Sequence, residues 1–373
     1  MVIGGGGTAG HVFPALAVAR ALADRHHADV RFIGTDRGLE ATAVPAAGFA
    51  FVAVESRPFV RKLSPGALAA PVALLRSVRV CRPLVNDADV VLGMGGYASG
   101  PVVAAAIRSR IPVVLHEQNA VPGLANRVFA RFARAVALSF PGSGSSFSKR
   151  ARTVLTGNPV RDAIARVPKE RDALAKEAIR ELDLREGRRT IVVFGGSQGA
   201  LHIDRAVVGA CGLLRDRDDI QLVLLTGRAH HEAVARELSA NGDGDGEGDG
   251  ALVVRAIPFL DRMELVYAVA DLIVSRSGAT TVAEVTVCGL PALFVPYPYA
   301  TARHQEANAR AVQRSGGASV LLDDQLGAEV LADRMLSLVD HRERLESMAV
   351  RSAAFGRPDA ADRVADLVVE QAS

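Results

Sequence analysis

Two glycine-rich turns, each lying between a short apolar run and a helical pattern, constrain this chain more than any other feature. Gly5-Gly6-Gly7-Thr8-Ala9-Gly10 follows Val2-Ile3, and Gly195-Gly196-Ser197-Gln198-Gly199-Ala200 follows a β-branched run ending at Phe194. A strand, a tight glycine turn and a helix in succession open a βαβ unit. Each turn heads its own series. Further strands are expected at residues 30–33, 51–54, 90–92 and 113–115, with a helix at 12–23. A second set is expected at 190–194, 220–225, 252–254, 272–275 and 292–295. Strands alternating with helices at this spacing indicate parallel sheets. The chain therefore reads as α/β, with two Rossmann-like doubly wound domains joined near Gly157-Asn158-Pro159. The expected division is 1–158, 159–340 and a helical 341–373 that can belong to either domain.

A length of 373 residues suits two or three domains, each with its own core. The net charge of +3 is too small for a general nucleic-acid binder, which concentrates Lys and Arg. Cys81, Cys211 and Cys288 match no metal spacing, and an odd, scattered set fits a reducing compartment. No apolar run reaches the roughly 18 residues of a spanning helix, and no basic segment precedes the first apolar residues. The expectation is a cytoplasmic chain that can dock on a membrane surface. Residues 241–250 alternate Gly with acids. An EF-hand loop counted from Asp243 needs Glu where Val254 stands, so a solvated loop is expected.

Glycines in the first turn let backbone N–H groups approach an anion at a helix start. A dinucleotide site also wants an acid closing the second strand, and Asp36 comes well past it. His11 follows at the helix start. It can take a proton from an attacking hydroxyl, or it can simply hydrogen-bond the loop; position alone leaves both open. In the second turn Ser197 adds a hydroxyl suited to a phosphate oxygen, although the turn can equally be structural. It is not a Walker loop, because no Gly-Lys-Ser/Thr follows. Ser275-Arg276-Ser277-Gly278-Ala279 ends a strand and opens a helix carrying Glu284. Such a helix start can hold a diphosphate, and the carboxylate can accept from two ribose hydroxyls. A solvated helix face is the plainer alternative for Glu284, weakened by its uncharged neighbours. His304 and Gln305 open a later helix, with groups suited to sugar hydroxyls or to an ordinary polar helix start.

In their joint order these motifs resemble the MurG-type transferases of bacterial cell-wall synthesis, along almost the whole chain. The motifs are Gly6-Gly7-Thr8-Ala9-Gly10-His11, Gly93-Met94-Gly95-Gly96-Tyr97, His116-Glu117-Gln118-Asn119, Gly157-Asn158-Pro159-Val160-Arg161, Gly195 to Ala200, and Arg276-Ser277-Gly278 through Glu284. The resemblance implies a GT-B fold, its two domains facing each other across a cleft. It implies inverting transfer of N-acetylglucosamine from UDP-N-acetylglucosamine to the muramoyl 4-hydroxyl of lipid I, giving lipid II. By the same resemblance, Ser197 would touch the diphosphate with Arg161 near it. Phe259 and Leu260 would border the uracil, and Glu284 would bind the ribose. Asn119, His304 and Gln305 would meet the donor sugar. Thr8, Gly10, Gln198, Ser277, Gly278 and Ala279 complete the donor set. Gly95, Gly96 and Tyr97 would face the acceptor, together with His11 and Glu117. Ala9 stands where many relatives have glycine, and His304 where some have glutamine. Residues 300–302 lack an acid often found just before the amide pair.

Inversion needs one in-line displacement. His11 is the first choice of general base and Glu117 the second. The leaving diphosphate would be met by the helix start at 276–279, Ser197 and Arg161. With no Asp-x-Asp at a strand end, no metal or other cofactor is expected to be required. The lipid acceptor implies an anionic membrane surface as partner, at the cytoplasmic face, and cell-wall synthesis proteins are further candidate partners. Leu68, Val72, Leu75 and Val78 fall on one helical stripe beside Arg76, Arg79 and Arg82, with Arg57, Arg61 and Lys62 upstream. Basic residues beside apolar ones suit such a surface, although the apolar stripe can equally pack on the sheet. The rivals are a UDP-N-acetylglucosamine epimerase of the same fold, a nicotinamide-dependent oxidoreductase and a non-catalytic membrane scaffold.

Overall fold

The computed structural model describes residues 1–54, 65–196, 199–240 and 252–372, the side chains of 65–74 excepted. Residues 57, 61, 62 and 241–250 lie outside the described residues, as do Ser197, Gln198 and the side chains of Leu68 and Val72. The chain divides into two compact units. One comprises Met1–Arg161 with Arg357–Ser373, the other Asp162–Gly356.

The first unit runs β1 (Val2–Gly4), α1 (Ala9–His26), β2 (Arg31–Gly34), α2 (Glu40–Ala46), β3 (Ala50–Ala53), α3 (Pro65–Val85), β4 (Val91–Gly93), α4 (Ser99–Arg108), β5 (Val113–Glu117), α5 (Leu124–Phe129), β6 (Ala135–Leu138) and β7 (Thr153–Leu155). Its strands form one parallel sheet in the order β3-β2-β1-β4-β5-β6-β7. The central strands are buried on both faces, hence near-continuous apolar runs rather than alternation. Thr8 is extended and ends the glycine turn, and α1 begins at the next residue.

The second unit runs α6 (Asp162–Glu181), β8 (Arg189–Phe194), α7 (Leu201–Leu214), β9 (Ile220–Leu225), α8 (His231–Ala240), β10 (Val253–Ile257), α9 (Met263–Val269), β11 (Leu272–Ser275), α10 (Ala279–Val287), β12 (Ala292–Phe294), α11 (His304–Ser315), β13 (Ala318–Val320), α12 (Ala328–Val339) and α13 (Arg342–Phe355). Its parallel sheet has the order β10-β9-β8-β11-β12-β13. The core joins Ile191, Val193, Leu222 and Leu224 of the sheet to Ile203 and Val207 of α7 and to Leu331, Met335 and Leu338 of α12.

The chain then returns to the first unit with α14 (Ala360–Ala372). Val364, Leu367 and Val368 enter the core that holds Ile3, Val18 and Leu22. Asp366 receives His26 at 2.8 Å, and Glu370 receives Arg152 at 2.8 Å. The units thus change at Arg161/Asp162 and Gly356/Arg357, against an expected joint at 158/159, and the 341–373 stretch is shared between them. Sequence reading missed β6, β7 and β13. Each has only three or four residues. Among the described residues no helix is long and apolar enough to cross a membrane.

Candidate functional site

Both sheets reverse strand order beside their opening strand, between β1 and β4 and between β8 and β11. Ligands of open α/β sheets bind outside the carboxyl ends of the strands at such points. The motif pairs lie at these two reversals. In the first unit the loop after β1 meets the Gly95-Gly96 turn after β4. In the second, the Gly195 loop follows β8 and the Arg276-Ser277-Gly278 run follows β11.

In the first unit, the Gly96 backbone (φ 76°) lies so close to the first loop that a Cβ there would come 2.3 Å from the Gly6 carbonyl oxygen. A Cβ on Gly7 would meet the Tyr97 ring at 2.9 Å, and one on Gly95 the His11 ring at 3.1 Å. His11 Nδ1 and the Thr8 hydroxyl share a hydrogen bond of 3.0 Å. The first glycine loop departs from the expected open anion site. The Gly7 N–H donates to the buried Glu40 carboxylate at 2.7 Å, so the protein itself supplies the anion. Glu40 went unnoticed in the sequence, where it is one acid at the start of an ordinary-looking helix.

His116 and Glu117 end β5, both buried. His116 Nε2–H donates to the Gly157 carbonyl at 3.2 Å. Burial pulls its pKa down to about 4 against that hydrogen bond, and nearby His11 lowers it further, so the ring is neutral. Glu117 accepts from Asn119 N (3.0 Å), Gly123 N (3.0 Å) and Asn126 Nδ2 (2.9 Å). Both its oxygens are engaged by the 119–126 loop, which makes it a clamp for that loop and disfavours it as a base. Asn119 therefore sits on a loop anchored by this carboxylate. The Arg161 guanidinium stacks 5.1 Å from the Phe13 ring centroid, also within this unit.

In the second unit, Gly199 (φ 75°) packs against the Thr226 carbonyl, which a Cβ would approach to 2.3 Å. The α10 start is stitched to the α11 start. Ser277 Oγ donates to the Gln305 carbonyl at 2.8 Å, and the buried Asn308 donates from Nδ2 to the Ser277 carbonyl at 3.2 Å. Gln305 Oε1 accepts from Tyr297 N at 3.0 Å. His304 donates from Nδ1 to the Thr301 carbonyl at 2.7 Å, after two left-handed residues, Ala302 and Arg303, both at φ 52°. Such non-glycine conformations cost about 1–3 kcal/mol each and gather at functional loops.

Gly278 caps α10, with Ala279 as its first residue. Glu284 is not on a solvated face. It is 7% exposed, and its Oε2 accepts the Tyr267 hydroxyl at 2.9 Å. Tyr267 in turn packs edge-on against Phe194. Phe259 is exposed, with the Arg228 guanidinium 4.6 Å from its ring centroid, and Leu260 beside it is half-buried. Arg276 is buried. Its buried guanidinium donates to the Val295 (3.1 Å) and Pro296 (3.2 Å) carbonyls and pairs with Asp323, to which His202 also binds. Its charge is neutralised inside the unit.

Two family descriptions match in the order of the units: the glycosyltransferase family 28 N-terminal domain over residues 1–138 and its C-terminal domain over 190–364. A UDP-N-acetylglucosamine--N-acetylmuramyl-(pentapeptide) pyrophosphoryl-undecaprenol N-acetylglucosamine transferase of Halothermothrix orenii is 39% identical, covering 100% of this chain and 99% of its own. The chain belongs to the MurG-type glycosyltransferases of family 28. A crystal structure of MurG from Acinetobacter baumannii has a TM-score of 0.78 at 30% identity, with 99% of each chain covered. A UDP-N-acetylglucosamine 2-epimerase from Neisseria meningitidis, bound to UDP-N-acetylglucosamine, has a TM-score of 0.67 at 14% identity, covering 99% of this chain and 98% of its own. At that identity it shares the two-Rossmann architecture only. Family membership thus makes this chain a glycosyltransferase of GT-B type, while Glu40, Tyr267, Asn126 and Asp323, which hold its loops, had no signal in a single sequence.

Proposed function

We propose that the chain transfers N-acetylglucosamine from UDP-N-acetylglucosamine to the 4-hydroxyl of the muramoyl sugar of lipid I. The observation that carries this reading is Glu284, a carboxylate buried in the helix that begins at the second unit's strand reversal and oriented by Tyr267. A fixed carboxylate one turn inside such a helix suits the paired hydroxyls of a ribose, while the helix start and the second glycine loop suit its diphosphate. Phe259 and Leu260 would border the base, and His304 and Gln305 the donor sugar. Asn119, Arg161, Thr8 and Gly10 are the donor contacts proposed on the first unit.

In the reaction the acceptor oxygen attacks C1 of the donor sugar. The bond from C1 to the β-phosphate oxygen breaks, and UDP leaves with the electron pair. His11 takes the hydroxyl proton. In the tautomer whose Nδ1–H donates to the Thr8 hydroxyl, Nε2 is the basic nitrogen. Tyr97, Gly95 and Gly96 form the acceptor side of the same unit. Glu117 shapes the neighbouring loop.

The acceptor's lipid would bring the first unit to an anionic cytoplasmic membrane face. On α3, Leu75 is 61% exposed beside exposed Arg76, Arg79 and Arg82, whereas Val78 turns into the core. The same unit exposes Leu124, Val128 and Phe132 beside Arg127 and Arg131. Apolar side chains among arginines suit such a surface.

The test is sugar transfer to a lipid I analogue followed by extraction of radiolabelled lipid. His11→Ala should lower kcat by about 100-fold or more, as loss of a general base does. Glu284→Ala should raise donor KM by about 10-fold or more, the scale of hydrogen bonds to a charged group. Label remaining in water-soluble UDP-sugar, with epimerisation at C2, would favour the epimerase instead. Full activity in both variants would remove the site assignment.

A further inference from the structure

The carboxylate beneath the first glycine loop has the features of a bound ligand. Glu40 is 1% exposed. Its Oε2 accepts the Gly7 N–H at 2.7 Å, and its Oε1 accepts both the Thr35 N–H (3.0 Å) and the Thr35 hydroxyl (2.7 Å). No cation pairs with it among the described residues. Three glycines make room for it: a Cβ on Gly6, Gly34 or Gly38 would lie 2.2, 2.6 or 2.0 Å from its side chain. A buried anion held by backbone N–H groups beside a helix start is the arrangement in which other α/β folds hold a substrate phosphate. Here the anion is internal.

The consequences reach the residues that face the acceptor. Gly6 and Gly7 carry φ of 156° and 96°. The Gly6 carbonyl abuts the Gly96 turn and Gly7 abuts the Tyr97 ring, while Gly95 lies over His11. The Thr35 hydroxyl that binds Glu40 also lies 3.5 Å from the Tyr97 hydroxyl. The position of Glu40 is thus passed through one loop to Tyr97 and to the turn above His11.

We propose that Glu40 is a positioning residue whose carboxylate fills the anion seat of the first glycine loop, so that the loop presents Tyr97 and His11 instead of gripping a substrate pyrophosphate. The proposal rests on the reading of His11 as base for its effect on rate, but not for its effect on the loop. Against a burial that raises it, its hydrogen bonds hold the carboxyl below the usual carboxylate range, which favours the ionised form.

The experiment uses the full chain with Glu40→Gln and Glu40→Ala. Glutamine keeps the shape but turns an NH2 toward an N–H donor. The expected result for Glu40→Gln is a kcat lowered at least 10-fold, with affinity for UDP, which the second unit holds in the proposed function, within about twofold of the unaltered enzyme. The Gly7 amide, followed by NMR, should lose its hydrogen-bonded shift and exchange faster while α14 amides stay protected. Formate should restore part of the lost kcat to Glu40→Ala by filling the vacated seat, which a general loss of folding would not permit. Inorganic pyrophosphate should leave the Gly7 resonance of the unaltered enzyme in place. A Glu40→Gln enzyme with unchanged kcat and an unchanged Gly7 amide would overturn the proposal, as would pyrophosphate moving that resonance in the unaltered enzyme. If His11→Ala kept full turnover while the Gly7 amide and pyrophosphate results came out as expected, the base assignment would fail and the seat would stand.

Discussion

Asp204 sits in the first turn of α7, just past the second glycine loop, with no exposed surface. Among the described residues, neither of its carboxylate oxygens has a hydrogen-bond partner. Burial pushes its pKa from 3.8 up to about 7, against the pull of Arg276. In the unfolded chain the group ionises near its ordinary value, so between about pH 4 and 7 the folded protein holds a proton that the unfolded chain has lost. Stability from this group is therefore present at low pH, falls as pH rises through that window, and levels off above 7. Each pH unit is worth about 1.4 kcal/mol, so the roughly three units set a ceiling of about 4 kcal/mol. Asp204→Asn keeps the shape and cannot ionise. Its stability relative to the unaltered protein should rise by about 3 kcal/mol between pH 5 and pH 8, an interval that spans roughly two units of the window. Urea unfolding at the two pH values, with α7 amide exchange to report on the second unit, measures the difference and cancels the titration of every other group. An asparagine variant whose advantage is the same at both pH values would refute the reasoning.

Two further substitutions probe the loops of the first unit. Gly96→Ala puts a methyl group against the Gly6 carbonyl at a positive φ. It should lower the melting temperature and cut kcat more than donor affinity, as thermal melts and steady-state kinetics will show. Glu117→Gln leaves one donor of the 119–126 loop without its acceptor, a cost of about 1–3 kcal/mol in stability by urea unfolding. As a clamp rather than a base, Glu117 predicts an unchanged acid limb in the pH–kcat profile of this variant.

The βαβ rhythm was legible because β8, β9 and the longer strands are apolar enough to stand out between helices, and each domain announces its opening strand with glycines. The last helices were visible as helices but not as belonging to different units, because membership depends on which core a face enters. Val364 and Leu367 are as apolar as Leu345 and Met348, yet the first pair completes the first unit and the second pair the second. The burial of Glu284 was legible because its neighbours in the helix are uncharged. The site was illegible where partners come from far along the chain, as with Tyr267 on Glu284, Asp323 on Arg276 and Glu40 on Gly7.

The two glycine turns look alike in sequence because one backbone requirement, a tight exit from a strand into a helix, selects glycine in both. What an anion-binding turn does depends on whether the protein fills it. In the first unit a carboxylate 33 residues away occupies the seat, and the glycines serve to fit that side chain and to let a neighbouring turn press close. In the second unit a buried carboxyl just past the loop, Asp204, has its pKa pushed up to about 7 and accepts no hydrogen bond among the described residues. Burial that favours the neutral acid lessens its repulsion of an incoming phosphate, whereas an ionised carboxylate held by the loop competes with one. The contrast agrees with the proposed place of the nucleotide in the second unit. It also explains why a glycine pattern read without its long-range partners points equally to a cofactor, a substrate and a plain turn.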